Sequence, residues 1–552
     1  MKRQRWKVKN ILGQGRDIST KFNINPLLAD IVLSRGIDEN QVISFLHASL
    51  EDLHPPKLLP DIFKAKKRIK QAVSKKENVM VLGDYDVDGI TSLAIFHEFS
   101  KRYSGIFSFY IPDRVKEGYG LSKEVVDSAK KEKKDLIIAF DCGINSSSEI
   151  EYAKALGIDV VVVDHHLPQH KLPKPVALVN PKIKKSNYPF IDLPAAALSF
   201  KLVQILKEDD CYQLLDLVAL AIVCDVTPLL GENRILLKEG IKILRKTSRP
   251  AVKALCKIAK IKQENISNFH IGYILGPRIN ASGRIAHAKD ALKLFLTDDL
   301  KEACQFAETL NKYNILRKNV EKQILKEAES KIESDLCREH ALVVGGSGWH
   351  PGVLGIVASR LKDRYSRPSF VVSLNKGIAK GSGRSTEAVH LMDMLHKCSS
   401  SLTAYGGHKK AVGMQLEEKN LDIFRENINL AIRENVDLKD FIPVLEIDSK
   451  LEFRQITADF INGLNLLYPH GEANPKPIFL SKGVRKRKDI QRLRGRYLLW
   501  LTDGERTFET ILYSKDLAEI IKYGKEFDIV FSLDKNNYSN YPQLVLRDCR
   551  LA

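Results

Sequence analysis

The sequence has no CxxC pair, no internal repeat, no low-complexity tract and no apolar run approaching the roughly 18 residues of a membrane span. Its eight cysteines (142, 211, 224, 256, 304, 337, 398 and 549) are scattered, mostly in apolar or helical contexts, which argues against a disulfide framework and for reduced thiols in a cytosol. The N-terminus, MKRQRWKVKN, is basic. Gly13, Gln14, Gly15, Arg16 and Asp17 follow where a signal peptide needs its apolar stretch. These absences predict a cytoplasmic protein without a membrane partner.

What is present is an ordinary globular composition, 44% hydrophobic and 28% charged over 552 residues. That length divides into about three or four domains. The formal net charge of +19 fits a polyanionic partner such as nucleic acid, and equally a basic solvated surface. Only clustering of the charge separates the two.

Residues 1–75 read as a helical segment, with Pro55, Pro56 and Pro60 marking a turn-rich join. From Asn78 to Lys182, β-rich runs alternate with amphipathic helices: VMVL (79–82), FSFYI (107–111), DLIIAF (135–140), DVVVV (159–163) and VALV (176–179). Strands this apolar are buried on both faces, which predicts an α/β domain with a parallel sheet wrapped by helices. Neither Gly nor Pro occurs between Arg284 and Val344, and residues 300–334 predict one helix of about 50 Å. ALVVGG (341–346), a helix over 353–364 and SFVVSL (369–374) open a second, smaller α/β unit reaching about Arg433. After Asp440, VLEI (444–447), PIFL (477–480), RYLLWL (496–501), TFETILY (507–513), FDIVFSL (527–533) and PQLVL (542–546) predict a small β-barrel of the OB type.

Ligands of open parallel sheets sit beyond the carboxyl ends of the strands. There, VMVL runs into GDYDVDG, DLIIAF into DCG and DVVVV into DHH. Asp84, Asp86, Asp88, Asp141, Asp164, His165 and His166 therefore gather at three strand ends, and VCDVTPL (223–229) adds Asp225 after an apolar helix. Carboxylates suit Mg²⁺ or Mn²⁺, and Mn²⁺ also accepts imidazole. Two such ions about 4 Å apart can share one carboxylate and polarise a phosphoryl group. A lone DxDxD after a strand is more often a turn or an N-cap, and a lone His pair is weaker still. All four elements in order at strand ends make a structural reading improbable.

GDYDVDG, DCG, DHH and CDVTPL, in that order, resemble the four motifs of the DHH phosphoesterase superfamily. The resemblance implies one ion held by Asp84, Asp86 and Asp141, and a second held by Asp88, Asp141, His165 and Asp225. The division of Asp84, Asp86 and Asp88 between the ions stays open. His166 would face the scissile phosphate, and Asp164 would orient a histidine.

GPRINASGRI (276–285) places two glycines and two arginines between helical stretches, either as a capped loop or with Arg278 and Arg284 forked onto phosphate oxygens. It resembles a segment of the RecJ family, which adds Asn280 to the expected substrate contacts. GWHPGVLGIVASRL (348–361), KGSGRS (380–385) and GGHKKAVGM (406–414) resemble the DHH-associated domain. That implies substrate-binding roles for His350, Ser382, Arg384, Gly407 and His408, residues otherwise read as ordinary loop positions. KGVRKRKDIQRLRGR (482–496) carries eight Lys or Arg and one Asp beside Tyr497, Trp500 and Phe508. Basic grooves with aromatic platforms hold single strands on OB-folds; a basic hairpin with core aromatics is the bland alternative.

The RecJ resemblance extends from about Leu59 to the C-terminus. It implies domains at 76–290 (DHH), 338–435 (DHH-associated) and 440–552 (OB-fold), with a connecting helix at 291–337. It further implies a metal-dependent, single-strand-specific 5′→3′ DNA exonuclease that releases mononucleotides in recombination and repair. Single-stranded DNA would be the substrate, a single-strand-binding protein and a helicase the candidate partners, and a monomer the default state. Two rivals remain: a DHH phosphodiesterase of short oligonucleotides or cyclic dinucleotides, and a catalytically inactive single-strand-binding scaffold. Cys224 replaces a usual Ala, and Glu472 and Ala473 interrupt a usual Gly pattern.

Overall fold

A computed structural model of the chain describes residues 4–9, 15–113, 117, 118, 120–169, 171–332, 339–535 and 541–552. Cys337 lies outside these residues. The five apolar runs form one parallel sheet in the order Phe107–Tyr110, Val79–Gly83, Leu136–Phe140, Asp159–Val163, Ala177–Val179. Alternation along each strand feeds two cores. Val79 and Val81 pack with the helices Val87–Ser100, Ala195–Lys207 and Leu215–Cys224 on one face; Met80 and Leu82 pack with Lys123–Lys131 and Ser147–Ala155 on the other. Val79–Gly83, Leu136–Phe140 and Asp159–Val163 are sheet neighbours, so the residues following them, Asp84, Asp141 and Asp164, emerge side by side.

The Gly- and Pro-free stretch forms the helix Leu300–Lys331, capped by the Asp299 side chain, which accepts the Glu302 N–H at 2.7 Å. Ala303, Ala307 and Leu310 belong to the first core, whereas Ile324, Ala328 and Ile332 join Leu342 and Val344 of the second domain. One rigid rod is thus built into both bodies. The second sheet has the order Ala404–His408, Ala411–Glu417, Ile378–Arg384, Ser369–Asn375, Leu342–Ser347; its last pair is parallel and the others antiparallel.

The C-terminal strands Phe479–Lys486, Glu526–Lys535, Pro542–Leu551, Thr507–Leu512 and Arg496–Thr502 neighbour one another in that order. Arg485↔Thr502 and Lys486↔Leu501 return the last strand to the first. The ring is thus a five-stranded OB-type barrel with a narrow two-residue seam. Two expectations change. Val444–Ile447 stays out of the ring and pairs in parallel with Arg5–Val8. The segment 276–285 is a helix, Gly276–Ile285, continuous with helical residues Asn268–Leu275, of which Ile271–Leu275 form a π-helical turn just before Pro277.

The N-terminal helices seal the barrel's open end. Ile18, Leu28, Ile31, Val32, Val42 and Phe45 share one core with Phe453, Phe460, Phe479 and Phe531. Helix Ile62–Lys75 instead packs through Ile62, Ala65, Ile69 and Ala72 against the parallel sheet. Arg234, 2% exposed, crosses this junction: its guanidinium donates to the carbonyls of Phe45, Leu466, Leu467 and Pro469.

Candidate metal centre and substrate cleft

Asp84 directly follows its strand. Asp86 caps the helix Val87–Ser100, accepting the Asp88 and Gly89 N–H groups at 2.9 and 3.2 Å. The turn closes tightly because residue 89 is glycine: a Cβ there would stand 2.4 Å from the Asp84 carbonyl oxygen. Asp88 is buried, and its two oxygens accept the Ala195 and Ala196 N–H groups at 2.8 Å each, at the first turn of a helix. Asp141 occupies the left-handed region at φ 62°, which Asp tolerates, and its N–H is fixed to the Val163 carbonyl at 3.0 Å. Asp225 is the C-cap of Leu215–Cys224.

These elements bring the predicted ligands together. Donor atoms of Asp84, Asp86 and Asp141 lie within 4.8 Å of one another, as do those of Asp88, His165 and Asp225, and those of Asp141, His165 and His166. Asp141 stands where the groups meet: His165 Nε2 is 3.2 Å from Asp141 Oδ1 and 3.7 Å from Asp88 Oδ2, and His165 Nδ1 is 3.9 Å from Asp225 Oδ2. Burial, then mutual repulsion, raises the pKa of Asp88 and Asp141 well above the usual carboxylate range, and burial with Asp86 nearby lifts Asp225 to about 7. His165 Nε2 is buried and makes no hydrogen bond among the described residues. A buried, oxygen-rich set with a neutral imidazole fits hard divalent cations.

The two histidines behave oppositely. Burial and the charge of His166 lower His165 to about 3, keeping it a neutral donor. Burial also opposes protonation of His166, but the hydrogen bond from its Nδ1 to Asp164 Oδ1, 2.8 Å long, outweighs it and raises His166 to about 9. Asp164 is itself held by the Ile144, His165 and His166 N–H groups. The orienting role expected of Asp164 is therefore geometrically satisfied.

A cavity of about 250 Å³ opens over this cluster, lined by Asp84, Asp86, Asp141, His166, Asp225, Asn280 and Arg284. Helix Gly276–Ile285 reaches it because its glycines permit close approach. A Cβ on Gly283 would lie 2.7 Å from the Tyr85 carbonyl, and one on Gly276 2.4 Å from Cys224 Sγ. Asn280 Oδ1 also accepts the Val87 N–H at 3.1 Å. Arg278 does not reach the cavity; it donates to the Ile274 carbonyl and to Asn311 of the long helix.

None of His350, Ser382, Arg384, Gly407 and His408 lines this cavity. They lie in the second domain, whose turn Pro351–Val353 meets Arg284 (Arg284 Nη1 to the Gly352 carbonyl, 3.3 Å). Arg384 and His408 both pair with Ala411 in the sheet, and Arg384 abuts Gly355.

A second cavity of about 660 Å³ shares Asn280 and Arg284 with the first and adds Val226, Phe269, Tyr273 and Arg317. A third, about 1490 Å³, shares Asn268, Phe269 and His470 with the second and runs to Arg506, Phe508 and Tyr541 of the barrel. Phe269 and Tyr273 stack at 5.1 Å and are 58% and 75% exposed. Their only mark in the sequence is a pair of aromatics four residues apart just before GPR. Arg317 was hidden among the many cations of the long helix.

Comparison with known proteins accords with this geometry. Residues 78–222 match the DHH family N-terminal domain, 339–434 the DHHA1 domain and 447–548 the RecJ OB domain. The single-stranded-DNA-specific exonuclease RecJ of Bacillus subtilis (strain 168) is 34% identical over 546 residues, covering 97% of this chain and 69% of its own length. The chain belongs to the RecJ family. Another family member, RecJ of Escherichia coli (strain K12), is 33% identical over 82% of this chain and 83% of its own. The crystal structure of RecJ from Thermus thermophilus in complex with Mn²⁺ superposes with a TM-score of 0.85 at 27% identity, covering all of this chain and 80% of that one. A RecJ exonuclease bound to manganese gives 0.61 at 30% identity over 69% of this chain and 98% of that one.

Proposed function

We propose that the chain is a metal-dependent exonuclease specific for single-stranded DNA, acting 5′→3′ and releasing mononucleotides in recombination and repair. The observation that carries this reading is the buried carboxylate–imidazole cluster opening into a cavity that shares lining residues with a second, and the second with a third that reaches the barrel. Relatives named as single-stranded-DNA-specific exonucleases, and RecJ structures solved with Mn²⁺ or Mg²⁺, support it.

Asp84, Asp86 and Asp141 would hold one divalent cation, and Asp88, Asp141, His165 and Asp225 the other. When bound, the pair supplies the charge that polarises the phosphodiester and acidifies a water molecule. The protein's own groups do the rest. His166, oriented by the hydrogen bond between its Nδ1 and Asp164, faces the scissile phosphate and offers it a hydrogen bond. Arg284 and Asn280, which line the same cavity, hold the phosphate. Stacked Phe269 and Tyr273 offer a sequence-tolerant surface for bases, and His350, Ser382, Arg384, Gly407 and His408 hold the backbone from the second domain.

The catalytic unit spans 76–290, the substrate-binding unit 338–435 and the strand-binding barrel 440–552. Arg487 of the basic tract donates to Thr507, which borders the barrel-side cavity, so the tract continues the same path. That continuity favours a polymer over a dinucleotide. No described helix is long and apolar enough to cross a membrane. A cytoplasmic monomer working beside a single-strand-binding protein and a helicase completes the proposal.

The test follows mononucleotide release from single strands labelled internally or at either end, with Mn²⁺ or EDTA. Metal-dependent release from the 5′ end, absent in Asp141→Ala, is expected. Equal degradation of blunt duplex, or tight strand binding without release, would overturn it.

A further inference from the structure

We propose that the barrel loop Leu466–Asn474 is a positioning element of the metal centre, holding the Asp225 turn from outside the catalytic domain; this rests on the proposed metal-binding role of Asp225. The helix Leu215–Cys224 ends in a Schellman-type turn, with the Thr227 N–H bonded to the Ile222 carbonyl at 3.2 Å. The left-handed position of such a turn normally carries glycine. Here it is Val226, at φ 57° and 62% exposed, a β-branched residue in a region it resists. Left to itself, this turn would tend to unwind, and Asp225 immediately precedes Val226.

Part of what restrains it comes from the barrel side. The Leu229 N–H donates to the Glu472 carbonyl at 2.8 Å. Gly471 lies so close that a Cβ would stand 2.7 Å from Leu229 Cδ1. Asn268 donates to the His470 carbonyl. The loop is stiff in its own right. Fully buried Asn474 ties the Leu467 and Pro469 carbonyls at 2.8 and 2.7 Å, and Arg234 of the catalytic domain grips those of Leu466 and Leu467. Within the catalytic domain, Asn233 fixes the Pro228 carbonyl at 3.1 Å, so the segment after Val226 is clamped from both sides. The barrel is therefore part of the frame that sets one ligand, besides carrying substrate.

The test is Mn²⁺ titration of the full-length chain without nucleic acid, followed by the electron paramagnetic resonance of free Mn²⁺, together with hydrolysis of a 5′-phosphorylated dinucleotide too short to reach the barrel. Wild type should bind two ions. Gly471→Val, which drives a side chain into Leu229, should weaken one of them about 10- to 100-fold, the range for disturbed ligand support, and leave the other unchanged. It should lower kcat on the dinucleotide with KM unaltered. Leu229→Ala combined with Gly471→Val returns the volume and should restore both, whereas a variant that merely misfolds would lose both ions and not one. Unchanged Mn²⁺ affinity in Gly471→Val, with the loss confined to long strands, would overturn the inference. A wild type that binds no Mn²⁺ would instead sink the functional reading itself.

Discussion

Asp141→Asn should make the metal-free protein more stable while removing most of its response to metal. Asp141 is buried among carboxylates, with oxygens of Asp84 and Asp86 within 4.8 Å. Two unit charges at that separation repel by roughly 3.5 kcal/mol at an effective dielectric near 20. The metal-free chain escapes part of this by protonating, so neutralising Asp141 recovers about 2 kcal/mol. For a domain of this size that corresponds to a rise of about 4–8 °C in Tm. Asn keeps the side-chain shape and tolerates φ 62°, so little is lost in exchange.

The assay is thermal unfolding in EDTA and in Mn²⁺. Wild type at a Mn²⁺ concentration of about 100 Kd gains ~2.7 kcal/mol, whereas the variant, lacking the shared ligand, gains little. Carboxylates whose folded pKa is raised contribute fully below their unfolded pKa and lose the contribution as pH rises from there to the folded pKa. In EDTA, wild type should therefore weaken as pH rises from the usual carboxylate range to about 7, where the loss from Asp225 is complete, and the variant should weaken less. A metal-free variant less stable than wild type at pH 8, still strongly stabilised by Mn²⁺, would refute the reasoning.

Gly89→Ala should displace the Asp84 backbone it would strike at 2.4 Å, lowering Mn²⁺ affinity in calorimetry without altering strand binding in EDTA. Arg234→Met removes the donor to the Phe45 and Leu466 carbonyls, leaves those of Leu467 and Pro469 to Asn474 alone, and should cost about 3–5 kcal/mol, read in urea as separate unfolding of the barrel and the catalytic domain. His470 is held neutral, pushed down to about 3 by burial and by Arg35, Lys476 and Arg234. Its contribution is complete above its unfolded pKa and drains as pH falls toward 3, by about 2 kcal/mol between pH 7 and pH 5. His470→Gln should flatten that part of the acid-unfolding curve.

The sequence by itself determined the parallel sheet, because apolar runs such as DVVVV can only be strands buried on both faces. It also determined the metal-type cluster, because carboxylates and imidazoles recur at the ends of strands that follow one another in the chain. The long helix Leu300–Lys331 was equally legible, since that stretch contains neither Gly nor Pro. Contacts distant in sequence were not. Only the tertiary structure placed the N-terminal helices in the barrel's core, sent Val444–Ile447 to pair with Arg5–Val8 and tied Arg278 to Asn311. Only it set Val226 in a left-handed turn beneath a barrel loop more than 240 residues away, as Leu229 and Glu472 are joined. Local pattern records which atoms seek water or metal. Which backbone carbonyl restrains which turn depends on how separate bodies dock, and no periodicity in the chain encodes that.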